Sequence, residues 1–317
     1  GTVRGVAWST DGRAILGCCL DGSVRVWSVD TNDDATVTIR AGVDGTYSTT
    51  FSPDGATIAV SCFDGWVRLF DARTGALRRE WDAHPGSTCH ATAFSADGER
   101  LVTCSWDHTA RVWNPDDGTP IATLDASDGV YAIAISPDGS LVATSGSTII
   151  VWDVATGSRR HVLAADGAEP TRLEFSADGT RLASGWSDGI ARVHDVGRGT
   201  LVSALGVPGP RVETVTFLPD EERLATGDVA GTVRVFPVSG GPARFTVDTG
   251  GRAVNHVASA GGRIAVATDQ LWLVDAARGG IVFGTAPHDD TIWHLSWSPD
   301  GARLATCAMG GVIRILE

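Results

Sequence analysis

"ISPDGSLVATSGSTIIVWDVATG", residues 135 to 157, runs from an S-P-D-G turn through a β-rich segment and a short break to an apolar run with tryptophan and a T-G turn. The turn phrase returns along the chain: "STDG" at 9, "SPDG" at 52, "SADG" at 95, "SPDG" at 136, "SADG" at 176, "LPDE" at 218 and "SPDG" at 298. Its aspartates, at 11, 54, 97, 138, 178, 220 and 300, stand 43, 43, 41, 40, 42 and 80 residues apart. The doubled last interval holds a worn copy around "SAGGRIAVA" (259–267), so the chain reads as eight units of about forty residues. Their approximate limits are 1–40, 41–83, 84–126, 127–166, 167–208, 209–250, 251–287 and 288–317.

Each unit has the same order. A β-rich run ends in an aromatic or apolar residue before the S-P-D-G turn, as in "GTYSTTF" (45–51) and "GVYAIAI" (129–135). A second run follows, such as "RLVTCSW" (100–106), then a D-G type turn suited to a tight hairpin, then a third run such as "TARVWNP" (109–115). A weaker fourth run closes the unit, and no segment keeps a helical period. The expected class is all-β, with four short antiparallel strands per unit.

The S-P-D-G turn, the aspartate between the second and third runs, and V-R-V-W leading to W-D-x-x-T-G together resemble the WD-repeat family of β-propellers, with "VWDVATG" (151–157) the closest copy. The resemblance covers essentially the whole chain. It implies a single domain of eight blades stacked radially around a channel, with a seven-bladed ring and one surplus unit as the alternative. Unit eight stops after its third run, "GVIRILE" (311–317), so the last blade is expected to lack its outer strand in this chain. An open apolar edge is a liability. It is expected to be covered by flanking sequence or a partner, or to leave a three-stranded blade. The chain opens at Gly1 without methionine, which suggests excision from a longer protein.

Composition narrows the partners. The 25 basic residues are all arginine, against 38 acids, for a formal net charge of -13. Nucleic acid and anionic membranes, which need positive patches, are therefore disfavoured, whereas a protein or peptide, including a basic one, is permitted. No run of 18 apolar residues exists to span a bilayer. The six cysteines show no C-x-x-C spacing and most lie in strand-like runs, which fits structural thiols in a reducing, cytoplasmic compartment.

Several constellations suggest chemistry and fail. Ser105, Asp107 and His108 in "SWDHTARVW" (105–113) contain the residue types of a catalytic triad, but a strand sends neighbours to opposite faces, and the stretch reads as turn geometry. "GWSDG" (185–189) matches G-x-S-x-G between two strands instead of on a strand-turn-helix elbow. His84, Cys89, His90, Cys104 and His108 match no standard zinc spacing. Absence of lysine rules out a phosphate-binding loop of the Walker type and a Schiff-base lysine. "DTNDDA" (30–35) begins like a calcium loop but lacks its glycine and final glutamate. No catalytic residue, metal or cofactor is assigned.

The family resemblance implies a structural hydrogen-bond set of a histidine, a strand-two hydroxyl, the turn aspartate and the strand-three tryptophan. In unit three these are His84, Thr103, Asp107 and Trp113. The other units keep fragments, and units four and seven have shortened hairpins at "TSGSTII" and "ATDQLW".

A binding site is expected where strand one enters the channel. Four residues before the end of that strand the units place Arg4, Tyr47, His90, Tyr131, Thr171, Glu213 and Trp293, with unit seven too worn to align. Both tyrosines of the chain are among them. Residues just before the turn aspartate join them at the mouth: Leu20, Phe63, Trp106, Ser187 and, by alignment, Met309. The candidate partner-binding set is Arg4, Tyr47, Phe63, His90, Trp106, Tyr131, Trp293 and Met309. The competing reading is that these positions share strand parity with Val6, Thr49, Ile133 and Leu295 and merely extend the packed core. The leading function is a non-enzymatic scaffold binding a protein or peptide at the channel mouth. The alternatives are a sensor domain of a bacterial signalling protein, with a kinase, NTPase or caspase-like effector attached, and, last, an enzyme with a convergent site.

Overall fold

Local chemistry explains why the strands are short. In six of the S-P-D-G type turns the serine Oγ donates to the aspartate Oδ1 at 2.5–2.6 Å. The glycine that follows adopts a φ of 67–76°, which a side chain resists. In "LPDE" that position is Glu221, at a φ of 58°. Each turn stops one strand and reverses the chain into the next.

The computed structural model describes residues 2–29, 37–42, 45–164 and 167–317. The segment "DTNDDA" (30–35) lies outside the described residues. Eight antiparallel sheets succeed one another along the chain, each ordered first strand to last as in the sequence. Seven have four strands; the eighth has three, Ile292–Trp297, Leu304–Ala308 and Ile313–Leu316. The first strands of successive sheets adjoin one another around a ring, and that of blade 8 adjoins that of blade 1. The seven-bladed alternative is set aside: the eighth unit is a blade of the ring. No helix is present among the described residues, and none is long and apolar enough to cross a membrane.

Burial grades outward across a blade. Second strands such as Leu101–Ser105 and Leu141–Ser145 are buried throughout, sandwiched between neighbouring blades. Fourth strands such as Leu77–Asp82 are mostly exposed. A strand covered on both faces reads as a continuous run rather than an alternation. The core accordingly divides into eight interblade clusters, one per junction.

Closure repeats the contacts of the junction between blades 7 and 8. Trp297 Nε1 of blade 8 donates to Ala258 O of blade 7 at 3.2 Å, and Trp8 Nε1 of blade 1 donates to Ser296 O of blade 8 at 2.8 Å. Arg263 donates to Gly301 O in the next blade's turn at 3.3 Å, and Arg303 to Gly12 O at 2.9 Å. The guanidiniums lie 5.3 Å and 5.0 Å from the rings of Trp297 and Trp8. Among the described residues, packing and these contacts between blades join blade 8 to blade 1.

Candidate functional site

One backbone irregularity organises the channel mouth. In blade 1, Val3 pairs with Cys19 and Gly5 with Cys18, leaving Arg4 as an extra residue. The same β-bulge leaves Tyr47, His90, Thr171, Glu213 and Trp293 unpaired in blades 2, 3, 5, 6 and 8. A bulge bends its strand and re-aims the extra side chain. The parity argument that placed these residues with the core therefore fails. Core positions flanking the bulge are three apart, as Val3 with Val6, Val212 with Val215, and Ile292 with Leu295.

Blades 4 and 7 have no bulge, and their second-to-third hairpins are shortened, closing with Gly146 N to Thr148 O and Thr268 N to Gln270 O. Tyr131 N still donates to Ser145 O at 2.9 Å, and Asn255 N donates to Ala267 O at 2.9 Å in the matching place. Asn255 is thus the blade 7 member of the rim, which the sequence comparison missed. Val254-x-x-Val257 carried the signal, the same spacing as Val130-x-x-Ile133.

The rim side chains of blades 1 to 4 form a continuous arc. The Arg4 guanidinium lies 5.6 Å from the Tyr47 ring centre. Tyr47 packs on Phe63 at 4.3 Å and on His90 at 4.4 Å, and His90 packs on Trp106 at 4.4 Å. Trp106 and Tyr131 flank Gly129, where an added Cβ would lie 3.7 Å from Trp106 and 3.6 Å from the Tyr131 hydroxyl. Burial holds the His90 imidazole down at about 4, with the Arg4 charge adding to the effect, so the ring is neutral at pH 7. Trp293 and Met309 stand together on blade 8, where Met309 N donates to Thr291 O at 3.3 Å. Tyr131, Trp106, Met309 and Trp293 are 59%, 52%, 43% and 40% exposed.

Below the rim lies a cavity of about 410 Å³. Its next layer comes from the residues that follow the rim positions. Blades 1 to 4 supply Gly5, Ser48, Ala91 and Ala132, whereas blades 5 and 8 supply Arg172 and His294, both of which meet His256 of blade 7. Arg172 Nη2 lies 3.3 Å from His256 Nε2, and the two imidazoles stack at 4.1 Å. Burial and the Arg172 charge hold His294 down at about 4, and burial holds His256 well below its usual range. One layer further in, Glu174 Oε1 accepts from Phe217 N at 3.0 Å and from the Thr216 hydroxyl at 3.2 Å. Burial still pushes its carboxyl up to about 7. None of these four groups emerged from the sequence: Arg172 and His294 sit beside positions chosen for the rim, and His256 lies in the unit too worn to align.

The structural set in blade 3 is a relay. His84 Nδ1 lies 2.9 Å from Asp107 Oδ2 and its Nε2 lies 2.8 Å from Thr103 Oγ1. Trp113 Nε1 donates to the same hydroxyl at 3.0 Å. Burial lowers the His84 pKa against the pull of Asp107, and a neutral ring suits both contacts, donating from Nδ1 and accepting at Nε2. Blade 8 carries a fragment that sequence reading missed, His288 Nε2 to Thr306 Oγ1 at 2.7 Å. Elsewhere an arginine takes the histidine's place at the carboxylate: Arg68 on Asp64 at 2.9 Å and Arg192 on Asp188 at 2.6 Å. In blade 6 the carboxylate has moved to the end of the second strand, where Asp228 meets Arg234 at 2.6 Å.

The rejected constellations are also placed. Ser105 Oγ is buried against Ser87 Oγ at 2.9 Å, whereas His108 is exposed on the turn, at a φ of 71°. Ser187 of "GWSDG" lies between two strands, its hydroxyl accepting from Glu169 N. The six cysteines are free and buried, and burial pushes the Cys18 and Cys104 thiols up to about 12. Among the described residues no three of His, Cys, Asp and Glu converge as metal ligands.

Comparison with known proteins agrees with this architecture. A WD domain, G-beta repeat, matches residues 1–28, and the family described as IFT122 first beta-propeller matches residues 45–317. The small ribosomal subunit protein RACK1 of Schizosaccharomyces pombe is 32% identical over 95 residues, 27% of this chain and 30% of that protein. RACK1 of Medicago sativa is 31% identical over 101 residues, 26% and 31% of the two chains. The chain thus spans about a third of the length of these curated relatives. The crystal structure of the computationally designed Ika8 protein superposes with a TM-score of 0.88 at 19% identity, over 99% of this chain and 95% of that one, and shares the fold. With its repeats, its ring of blades and a family match from residue 45 to residue 317, the chain belongs to the WD-repeat β-propeller family.

Proposed function

We propose that this protein is a non-catalytic docking module that holds a protein or peptide segment across the channel mouth, through Arg4, Tyr47, Phe63, His90, Trp106, Tyr131, Trp293 and Met309. The observation that carries this reading is the placement of exposed aromatics. Four large aromatics are exposed among the described residues; Trp106, Tyr131 and Trp293 lie at the mouth, and only Phe283 lies on an outer strand. Exposed aromatic clusters with polar neighbours are typical anchors for a partner.

Arg4 already lies over Tyr47, so a basic side chain of the partner would find its aromatic face at Trp106 and Tyr131 instead. The third strand of blade 8, with Ile315 exposed, is a second edge at which a partner strand could pair. Six buried free thiols support a reducing, cytoplasmic setting.

The test is Tyr47→Ala, Tyr131→Ala and Trp293→Ala combined. Peptides selected from a library on the wild-type protein should bind the triple variant at least about tenfold more weakly, as expected for loss of several anchors. Circular dichroism and thermal melting establish that the variant is folded. Unchanged peptide binding by the folded variant removes the site from the mouth.

A further inference from the structure

We propose that the cavity beneath the aromatic arc receives a carboxylate, presented by an acidic residue of the docked segment and held by the Arg172 guanidinium beside His256 and His294. This rests on the mouth being the docking face.

The wall opposite supplies the room. Gly5, Ser48, Ala91 and Ala132 contribute almost no side-chain volume, and the cavity of about 410 Å³ extends from them to Arg172 and His294. The small residues all come from the blades whose rim carries the arc, so an anchor on the arc would hang its neighbouring side chain into this space.

The guanidinium is incompletely answered. Among the described residues no carboxylate lies within ion-pair distance of Arg172, and its recorded polar contact is an imidazole nitrogen at 3.3 Å. Glu174, on the same strand, is turned to Phe217 N and the Thr216 hydroxyl. Glu213, on the rim above, is paired with Arg211 at 2.5 Å. Arg172 is exposed where its strand borders the cavity, and a guanidinium fork matches a carboxylate with two parallel hydrogen bonds. The Nδ1 atoms of His256 and His294 are also buried without a partner.

Charge favours the same ligand. In a chain of net charge -13, Arg4 and Arg172 are two cations bordering one cavity, and Arg4, like Arg172, has no carboxylate within ion-pair distance among the described residues. A single guanidinium beside neutral imidazoles is matched to a monoanion more closely than to a phosphate dianion.

The experiment titrates the full chain with N-acetylglutamate N-methylamide, following the imidazole resonances of His256 and His294 by NMR. Its glutamine counterpart and inorganic phosphate serve as comparison probes. The glutamate probe should shift both imidazoles with an affinity about 10- to 100-fold above the glutamine probe, the range of a charged hydrogen bond. Arg172→Gln should abolish the difference. Ala91→Leu, which fills the opposite wall without touching the guanidinium, should also abolish it, and serves if Arg172→Gln does not fold. Equal response to the two amides, a response to phosphate alone, or an undiminished glutamate response in the folded variants overturns the carboxylate site. Failure of the docking reading shows separately, as unchanged peptide binding in the aromatic triple variant.

Discussion

His108 is the most informative single residue of its blade. It occupies the turn position taken by Gly22, Gly65, Gly189, Gly231 and Gly311 elsewhere, all at positive φ, and it holds a φ of 71° itself. The left-handed conformation costs a side chain on the order of 1 kcal/mol. His108→Gly should therefore raise stability by about 1 kcal/mol, read as a higher urea midpoint; a lower midpoint would mean that the imidazole makes a favourable contact. Glu174 is the residue through which pH should act. Its carboxyl is raised from the ordinary value to about 7, so the folded state holds its proton more tightly than the unfolded state. Stability from this group is present at low pH and declines as pH rises from about 4.5 through about 7. Glu174→Gln keeps an oxygen for Phe217 N and removes the titration. Melting temperatures of the two proteins should converge near pH 4 and separate toward pH 8, the variant being the more stable; parallel curves would refute this.

At the scale of the element, each blade fastens its third strand to its second differently. In blade 3, Thr103 joins His84 and Trp113, and all three are buried. In blade 4, Thr144 accepts only from Trp152 Nε1, at 2.9 Å. Thr103→Val leaves two buried polar groups unanswered and Thr144→Val leaves one, at about 1–3 kcal/mol each. Chemical denaturation should show the larger loss for Thr103→Val, and equal losses would mean that His84 finds another partner. The blade motif was readable because it lies within about thirty residues of one strand hairpin. The bulge was not, since one unpaired residue changes which side chains face the channel without changing the apolar content of the strand.

For the whole molecule, the question is what holds the last blade against the first. Arg303 and Arg263 make matching contacts, each to a turn carbonyl and a tryptophan ring of the next blade. If closure is one junction among eight, Arg303→Ala and Arg263→Ala should destabilise by similar amounts, about 1–2 kcal/mol, in a single cooperative transition. A separate early transition confined to Arg303→Ala would identify the closing junction as the weak point. The channel belongs to this scale too: Arg172, His256 and His294 stand 84 and 38 residues apart in the chain and meet only because blades 5, 7 and 8 face one axis.

The sequence by itself determined the all-β class, the eight units, the turn chemistry, the three-stranded last blade and the strand-one positions of every unit but the seventh. These depend on short-range patterns, a period of two along strands and of about forty between units. Only the tertiary structure decided that six of the rim residues are bulged out of the ladder, that Arg4 lies over Tyr47, and that Arg172 and His294 face a wall of small side chains. Those facts depend on distances across a closed ring, where residues far apart in sequence meet through the geometry of closure.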